Sequence, residues 1–377
     1  MGKRNASIEL LKLVSLFLIV VSHVVQTLIE YNPYVASNEY VLPISYPITN
    51  FVTFFVVALR YLGIFGNATF FICSAYFLVD KETINFKKIL IIFLDVWIIS
   101  VIFLISYLIY YGWSNIDSHL ILRSFLPTFF ENNWYITIYL LLSIISPLLN
   151  IIIRSISRPA LFWLTLALFV IYIVVAMFVK PPYYSVLIVW ITLYFAIGYL
   201  KKYSINLLNS NIFSVCLILI GLIGHITILV ITNELAKHMD IGSVNLLSWF
   251  IDGNLFITLI AFGIFNLIRK IEFNNRFITY ISSLSLFVYI IHENILFRTY
   301  TRPLIWNWMH TTYGYDHVLL LILLFSLSLF VASIIVSIIY KESIHRLVSL
   351  LAKKLYQLLS RFISFINKKI LKTDIDK

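Results

Sequence analysis

Hydrophobic runs of about 20 residues, long enough to cross a bilayer as helices, recur from one end of this chain to the other. That recurrence decides the solvent in which the chain folds. Of its 377 residues, 61% are hydrophobic and 12% charged, and mean hydropathy is +0.95. The charged share is about half that of a soluble domain. The sequence therefore predicts an all-α, polytopic integral membrane protein placed in the cell membrane.

Ten segments are expected, near 10–29, 62–79, 88–111, 134–153, 160–179, 184–200, 212–232, 246–268, 278–297 and 317–340. The aromatic stretch 48–61 reads as an interfacial or re-entrant lead into the second helix. Residues 1–340 form one membrane domain. Residues 341–377 read as a basic amphipathic tail lying along an anionic leaflet, with Arg346, Lys353, Lys354, Arg361, Lys368 and Lys369 set among apolar residues. The first run is not a cleaved signal, because polar residues lie inside it and no small-residue cleavage site follows. Cys73 and Cys216 each fall in an apolar stretch and read as small core residues.

A formal charge of +11 raises nucleic acid as a partner, but the charges are distributed as in an oriented membrane protein. With the N-terminus inside, 21 Lys and Arg residues fall on the cytoplasmic side and five on the other, and the alternation holds at every loop. An even number of helices with both termini cytoplasmic follows.

Orientation converts position into depth. Lys12 and His23 lie eleven residues apart in the first helix, within about 20° of one face and roughly 16 Å apart along the axis. Ionisable groups at that depth usually face a bundle interior or an aqueous cavity. His225, Asp252, Asn254, His292, Glu293 and Asn294 fall at a depth similar to His23, in its outer half, which favours a shared polar cavity. Each has a bland reading too, as a satisfied core histidine or an interfacial residue. His292 and Glu293 are adjacent and point about 100° apart on a helix, so only one is expected beside His23. His292 is assigned to the cavity and Glu293 to Arg298 or a nearby polar group. Asp95, in the inner half of the third segment, could pair with Lys12, line an entrance or form a structural ion pair. No phosphate loop, serine elbow or metal-ligand spacing occurs, so no metal or bound cofactor is expected.

The run from Arg4 to His23, with Lys12 and His23 separated by ten residues, resembles the membrane-bound acyltransferase-3 family, whose members modify bacterial surface polysaccharides. Phe70-Phe71-Ile72-Cys73-Ser74-Ala75-Tyr76-Phe77-Leu78 is similar to a second family segment, with Ala75 in place of glycine, and Arg60 precedes it. Asn133-Trp134-Tyr135, Tyr139 and Ser146-Pro147-Leu148-Leu149-Asn150 look like a third. Val288-Tyr289-Ile290-Ile291-His292-Glu293-Asn294 with Arg298 resembles the family's ending. The resemblance implies transfer of an acyl group, commonly acetyl, from cytosolic acyl-CoA to a hydroxyl of a glycan or lipid-linked sugar. It implies His23, His292 and Glu293 as catalytic candidates and Lys12, Arg60, Tyr139, Asp252 and Arg298 as donor or substrate contacts. His23 would act as general base, either in direct transfer or through a covalent acyl-histidine relay. A transporter or flippase for a polysaccharide precursor is the competing reading, against which stands the lack of an inverted repeat.

Overall fold

The protein, described as a computed structural model, is defined over residues 5–34, 38–42, 44, 48–130, 133–178, 183–203, 209–235, 237–238 and 255–375. Its helices are α1 (Ala6–Ile29), α2 (Phe51–Leu78), α3 (Phe86–Tyr111), α4 (Ser118–Phe125), α5 (Trp134–Ser155), α6 (Arg158–Phe178) and α7 (Tyr183–Lys202). They continue as α8 (Asn211–Leu235), α9 (Leu255–Ile268), α10 (Arg276–Ser282), α11 (Ser285–His292), α12 (Arg302–Tyr313) and α13 (Val318–Ile375). Among the described residues six helices are long and apolar enough to cross a membrane: α1, α2, α3, α5, α8 and the 318–361 part of α13. The chain is an all-α, multi-pass membrane protein.

Short polar residues set where the helices begin. Asn5, Asn50, Asn85 and Asn275 each accept a backbone N–H from the first turn that follows, at 2.7–3.0 Å, and so satisfy donors that a helix start leaves open. The Asn50 cap explains a departure from expectation. Residues 51–61 are the first turns of α2 rather than a separate interfacial piece, and α2 runs unbroken for 28 residues. That is about 42 Å, longer than a bilayer core of about 30 Å. Its aromatic start, with Phe51 72% exposed, lies outside the bundle core.

α1 is the central helix. In its most apolar stretch 61% of residues are buried, against 11% for α8, so α1 faces protein and α8 is largely open to its surroundings. α2 packs closely along α1 because Gly63 and Gly66 offer no side chain there. A Cβ at Gly66 would lie 2.6 Å from the Ser15 carbonyl oxygen, and one at Gly63 would meet the Ser22 hydroxyl. Small residues that let two backbones approach are a common membrane packing device.

The helix ends are tied together by polar groups. In α5, Pro147 cannot donate to the Ser143 carbonyl, and the Ser146 hydroxyl takes that carbonyl instead, at 3.1 Å. Asn150, one turn on, donates to Leu78 O (3.0 Å) and Lys81 O (2.7 Å), closing the end of α2, while Tyr194 of α7 donates to its side-chain oxygen. Lys202 caps α5 through the carbonyls of Ile153, Arg154 and Ile156, and Lys201 bonds Tyr76 O and Asp80. At the same end the Ala6 N–H reaches Phe273 O. The opposite end is closed by Asn32 on Thr299 O and by Tyr315 on the Tyr40 carbonyl. Burial pushes the Tyr315 phenol up to about 12, so it remains a donor at physiological pH.

Two further expectations are corrected, and of the readings open for Asp95 the structural pair is the one found. The segment 278–297 is not one helix: α10 ends at Ser282, α11 ends at His292, and a π-helical turn covers Phe297–Thr301. Asp95 does not pair with Lys12. It is buried between α3 and α13, receiving hydrogen bonds from Tyr340 (2.8 Å) and His345 (3.0 Å). Cys73 is buried, but Cys216 is exposed on α8, an outward-facing helix. Helix α13 passes residue 340 without interruption and runs to Ile375.

Candidate active site

The break after α11 creates the site. Glu293 leaves the helix with φ −105° and ψ 12°, and Asn294 stabilises the departing chain by accepting the Leu296 N–H at 3.1 Å. An adjacent pair on a regular helix cannot converge on one partner. Here His292 is the last helical residue and Glu293 the first beyond it, so both reach His23. His23 Nδ1 lies 3.1 Å from His292 Nε2 and 3.0 Å from Glu293 Oε2. The expected separation of the two residues is thus corrected, while the expected pairing of Glu293 with Arg298 is present at 2.8 Å.

Donor and acceptor chemistry assigns the protons. The Val288 carbonyl can only accept, so His292 Nδ1, 2.7 Å away, carries a hydrogen and its Nε2 presents a lone pair. That lone pair and the Glu293 carboxylate both face His23 Nδ1, which therefore carries a hydrogen, and in the neutral ring the base nitrogen is then Nε2. His23 Nε2 is left with its lone pair. A base nitrogen whose other nitrogen is held by a carboxylate is the arrangement that orients catalytic histidines. His23 keeps 12% of its side chain exposed whereas His292 is fully buried, so His23 is the ring that a substrate can reach.

Glu293 is gripped from both sides. Oε1 takes Arg298 Nη1 and Oε2 takes Arg302 Nη1 at 3.1 Å. The π turn ends with the Arg302 N–H on Phe297 O, and it brings both guanidiniums to the same carboxylate. Such turns are frequent at functional sites. Trp306, one turn further along α12, donates its indole N–H to Val24 O of α1, fixing α12 against the helix that carries His23. Arg60 approaches from α2, where its Nη1 meets the Ser22 hydroxyl at 3.0 Å and the same hydroxyl donates to the Arg60 carbonyl.

The other candidates are placed less centrally. Lys12 lies at the far end of α1, 3.4 Å from the buried Glu9 carboxylate and 5.4 Å from the centre of the Phe70 ring, with Glu9 also bonded by Ser282. Tyr139 stands one turn after Tyr135. That ring lies 5.6 Å from Tyr289, which lies 5.7 Å from His292, so among the described residues Tyr139 stands behind an aromatic row that leads to the site. His225 packs edge-on against Tyr61, outside the His23 cluster. Asp252 and Asn254 lie outside the described residues.

Sequence reasoning missed Arg302, Glu9 and Trp306. Arg302 lies beyond the ninth expected segment, where a charge reads as solvated, although its i,i+4 spacing from Arg298 after an acidic residue is an available signal.

Among the described residues, His23, His292 and Glu293 are the one group whose ligand atoms could hold a metal ion, all lying within 4.8 Å of one another. Two arginines already neutralise the carboxylate, so a dication would meet surplus positive charge. The donor set suits proton transfer better.

The acyltransferase-3 family profile, described as an acyltransferase domain, matches residues 5–342. The chain belongs to the acyltransferase-3 family. The match contains both polar clusters of α1 and the whole of the Glu293 network, and its span ends just short of His345. No curated protein and no solved structure gives a significant match. As an acyltransferase-3 protein the chain is a membrane acyltransferase, and the His23 cluster is its candidate catalytic centre.

Proposed function

We propose that this acyltransferase moves an acyl group, acetyl by preference, from acyl-CoA to a hydroxyl of a cell-surface glycan or lipid-linked sugar, in the cell membrane. The observation that supports it is His23 Nδ1 held 3.0 Å from the Glu293 carboxylate, which leaves Nε2 of the neutral ring to act as the base. In the reaction the acceptor hydroxyl gives its proton to Nε2 as its oxygen attacks the thioester carbon. The new C–O bond forms, the C–S bond breaks, and the proton passes to the departing thiolate. A positioned base of this kind contributes about 10²–10⁴-fold. Lys12 lies roughly 16 Å back along the same face of α1, a span that an extended pantetheine arm can bridge. In this reading Lys12 meets the CoA phosphates as a point charge while the thioester reaches His23, and Arg60 supports the same region. His292 and Glu293 together orient the base through its Nδ1.

Membrane vesicles supplied with labelled acetyl-CoA test the reading. Transfer of label to glycan or glycolipid that depends on His23 is the expected result; sugar-lipid translocation without label transfer would replace this proposal with the flippase reading. The orientation behind it is checked in a Cys73- and Cys216-free background. An impermeant thiol reagent should label Tyr31→Cys in intact cells and Lys202→Cys only after permeabilisation. Labelling of position 202 from outside reverses the topology.

A further inference from the structure

Arg302 is 0% exposed, and only its Nη1 is used, on Glu293. Its Nε and Nη2 have no hydrogen-bond partner among the described residues. In a guanidinium these two nitrogens form one edge, whose parallel N–H bonds match the two oxygens of a carboxylate or phosphate. Resting Glu293 in place needs a single donor. A buried arginine with a whole edge to spare is an expensive way to supply it.

Charge points the same way. One buried carboxylate is shared by Arg298 and Arg302, and Arg60 approaches His23 from the other flank, so among the described residues positive charge is in surplus around the two imidazoles. Glu30 acts on both arginines through space, but it is exposed and its charge is screened by water. A buried surplus of this sign is relieved when an anion arrives. The position of the edge narrows which part of a substrate that anion is. Glu293 Oε2 touches both His23 Nδ1 and Arg302 Nη1, so the free edge and the free His23 Nε2 flank one carboxylate and are turned away from it. An oxygen pair held by Arg302 is therefore a different group from the hydroxyl that His23 deprotonates.

We propose that the Nε–Nη2 edge of Arg302 is an anion-recognition site, taking a phosphate or carboxylate that belongs to a substrate and lies some bonds away from the reacting hydroxyl or thioester. The proposal rests on the acyl-transfer reading for what the substrate is, while its test needs no turnover. Two sources share this chemistry: an anionic acceptor, such as a sugar phosphate, and the CoA phosphates.

The probe is inorganic phosphate, added to the purified full-length protein in detergent and compared with chloride at constant ionic strength by thermal unfolding. Phosphate should raise the unfolding temperature saturably by several degrees. Arg302→Lys, which keeps a charge for Glu293 but loses the edge, should abolish the shift, while the exposed Lys353→Ala should retain it. Where Arg302→Lys does not fold, the double variant Glu293→Gln/Arg302→Met removes both charges together and should likewise show no shift. A shift that persists at saturating CoA assigns the site to the acceptor, and one that CoA abolishes assigns it to the donor. Phosphate no better than chloride on the wild type, or a full shift in either Arg302 variant, overturns the proposal. Labelled acyl transfer continuing without any phosphate shift would sink this inference alone; a phosphate shift without acyl transfer would sink the enzymatic reading alone.

Discussion

His23→Gln is expected to lower acyl transfer by about 10²–10⁴-fold with insertion and folding unchanged. Glutamine can fill the space, and its amide can donate to the Glu293 carboxylate that now faces Nδ1. It cannot take a proton from a hydroxyl at neutral pH. The measurement is label transferred per amount of monodisperse protein, compared across wild type, His23→Gln and His23→Ala. Both variants should fall together, because what they share is the loss of the Nε2 lone pair. Wild-type turnover in His23→Gln would show that the ring is held for structure and that the base lies elsewhere.

The largest effect on stability is expected from Glu293→Gln. The carboxylate is 4% exposed and faces a guanidinium that is fully buried. Removing one partner of a buried ion pair typically costs about 3–5 kcal/mol, since the remaining charge is left uncompensated. Here Arg302 is left with no carboxylate, and Arg298 loses its partner as well. Thermal unfolding of purified protein should show a clear destabilisation relative to wild type and to His292→Ala, which leaves the ion pairs of Glu293 in place. An unchanged unfolding temperature in Glu293→Gln would mean that the two arginines do not depend on this carboxylate.

Much of the architecture was written in hydropathy, because twenty apolar residues have few options in lipid. The termini of the helices were also readable where Asn5, Asn50, Asn85 and Asn275 precede apolar runs, though the aromatic residues after Asn50 masked the start of α2. The site was half legible. His23 stood out because an imidazole deep in an apolar helix is costly, and His292 with Glu293 stood out for the same reason. What periodicity could not supply was the break between them. A 100° step per residue separates neighbours only while the helix continues, and at Glu293 it stops. Asn294, a residue type common just past helix ends, was the sequence signal of that stop. Arg302 escaped because a charge outside an apolar run reads as solvated; its burial is a property of how α12 folds back onto α1 through Trp306. Asp95 was legible as a candidate for a structural pair, but its partners Tyr340 and His345 were not, since they lie some 250 residues away in sequence.

The uninterrupted α13 has a mechanical meaning. Its 58 residues make a rod of about 87 Å with no proline or glycine in it to serve as a joint. Near its middle the rod is clamped to α11: Tyr340 and His345 pack on the Phe287 ring at 5.1 and 5.2 Å, and Lys341 bonds Ser283 just before that helix begins. α11 is the short helix whose last residue is His292. Torque applied to the far end of the rod, by a surface or by a bound neighbour, therefore reaches the imidazole pair through one rigid clamp, without a flexible element to absorb it.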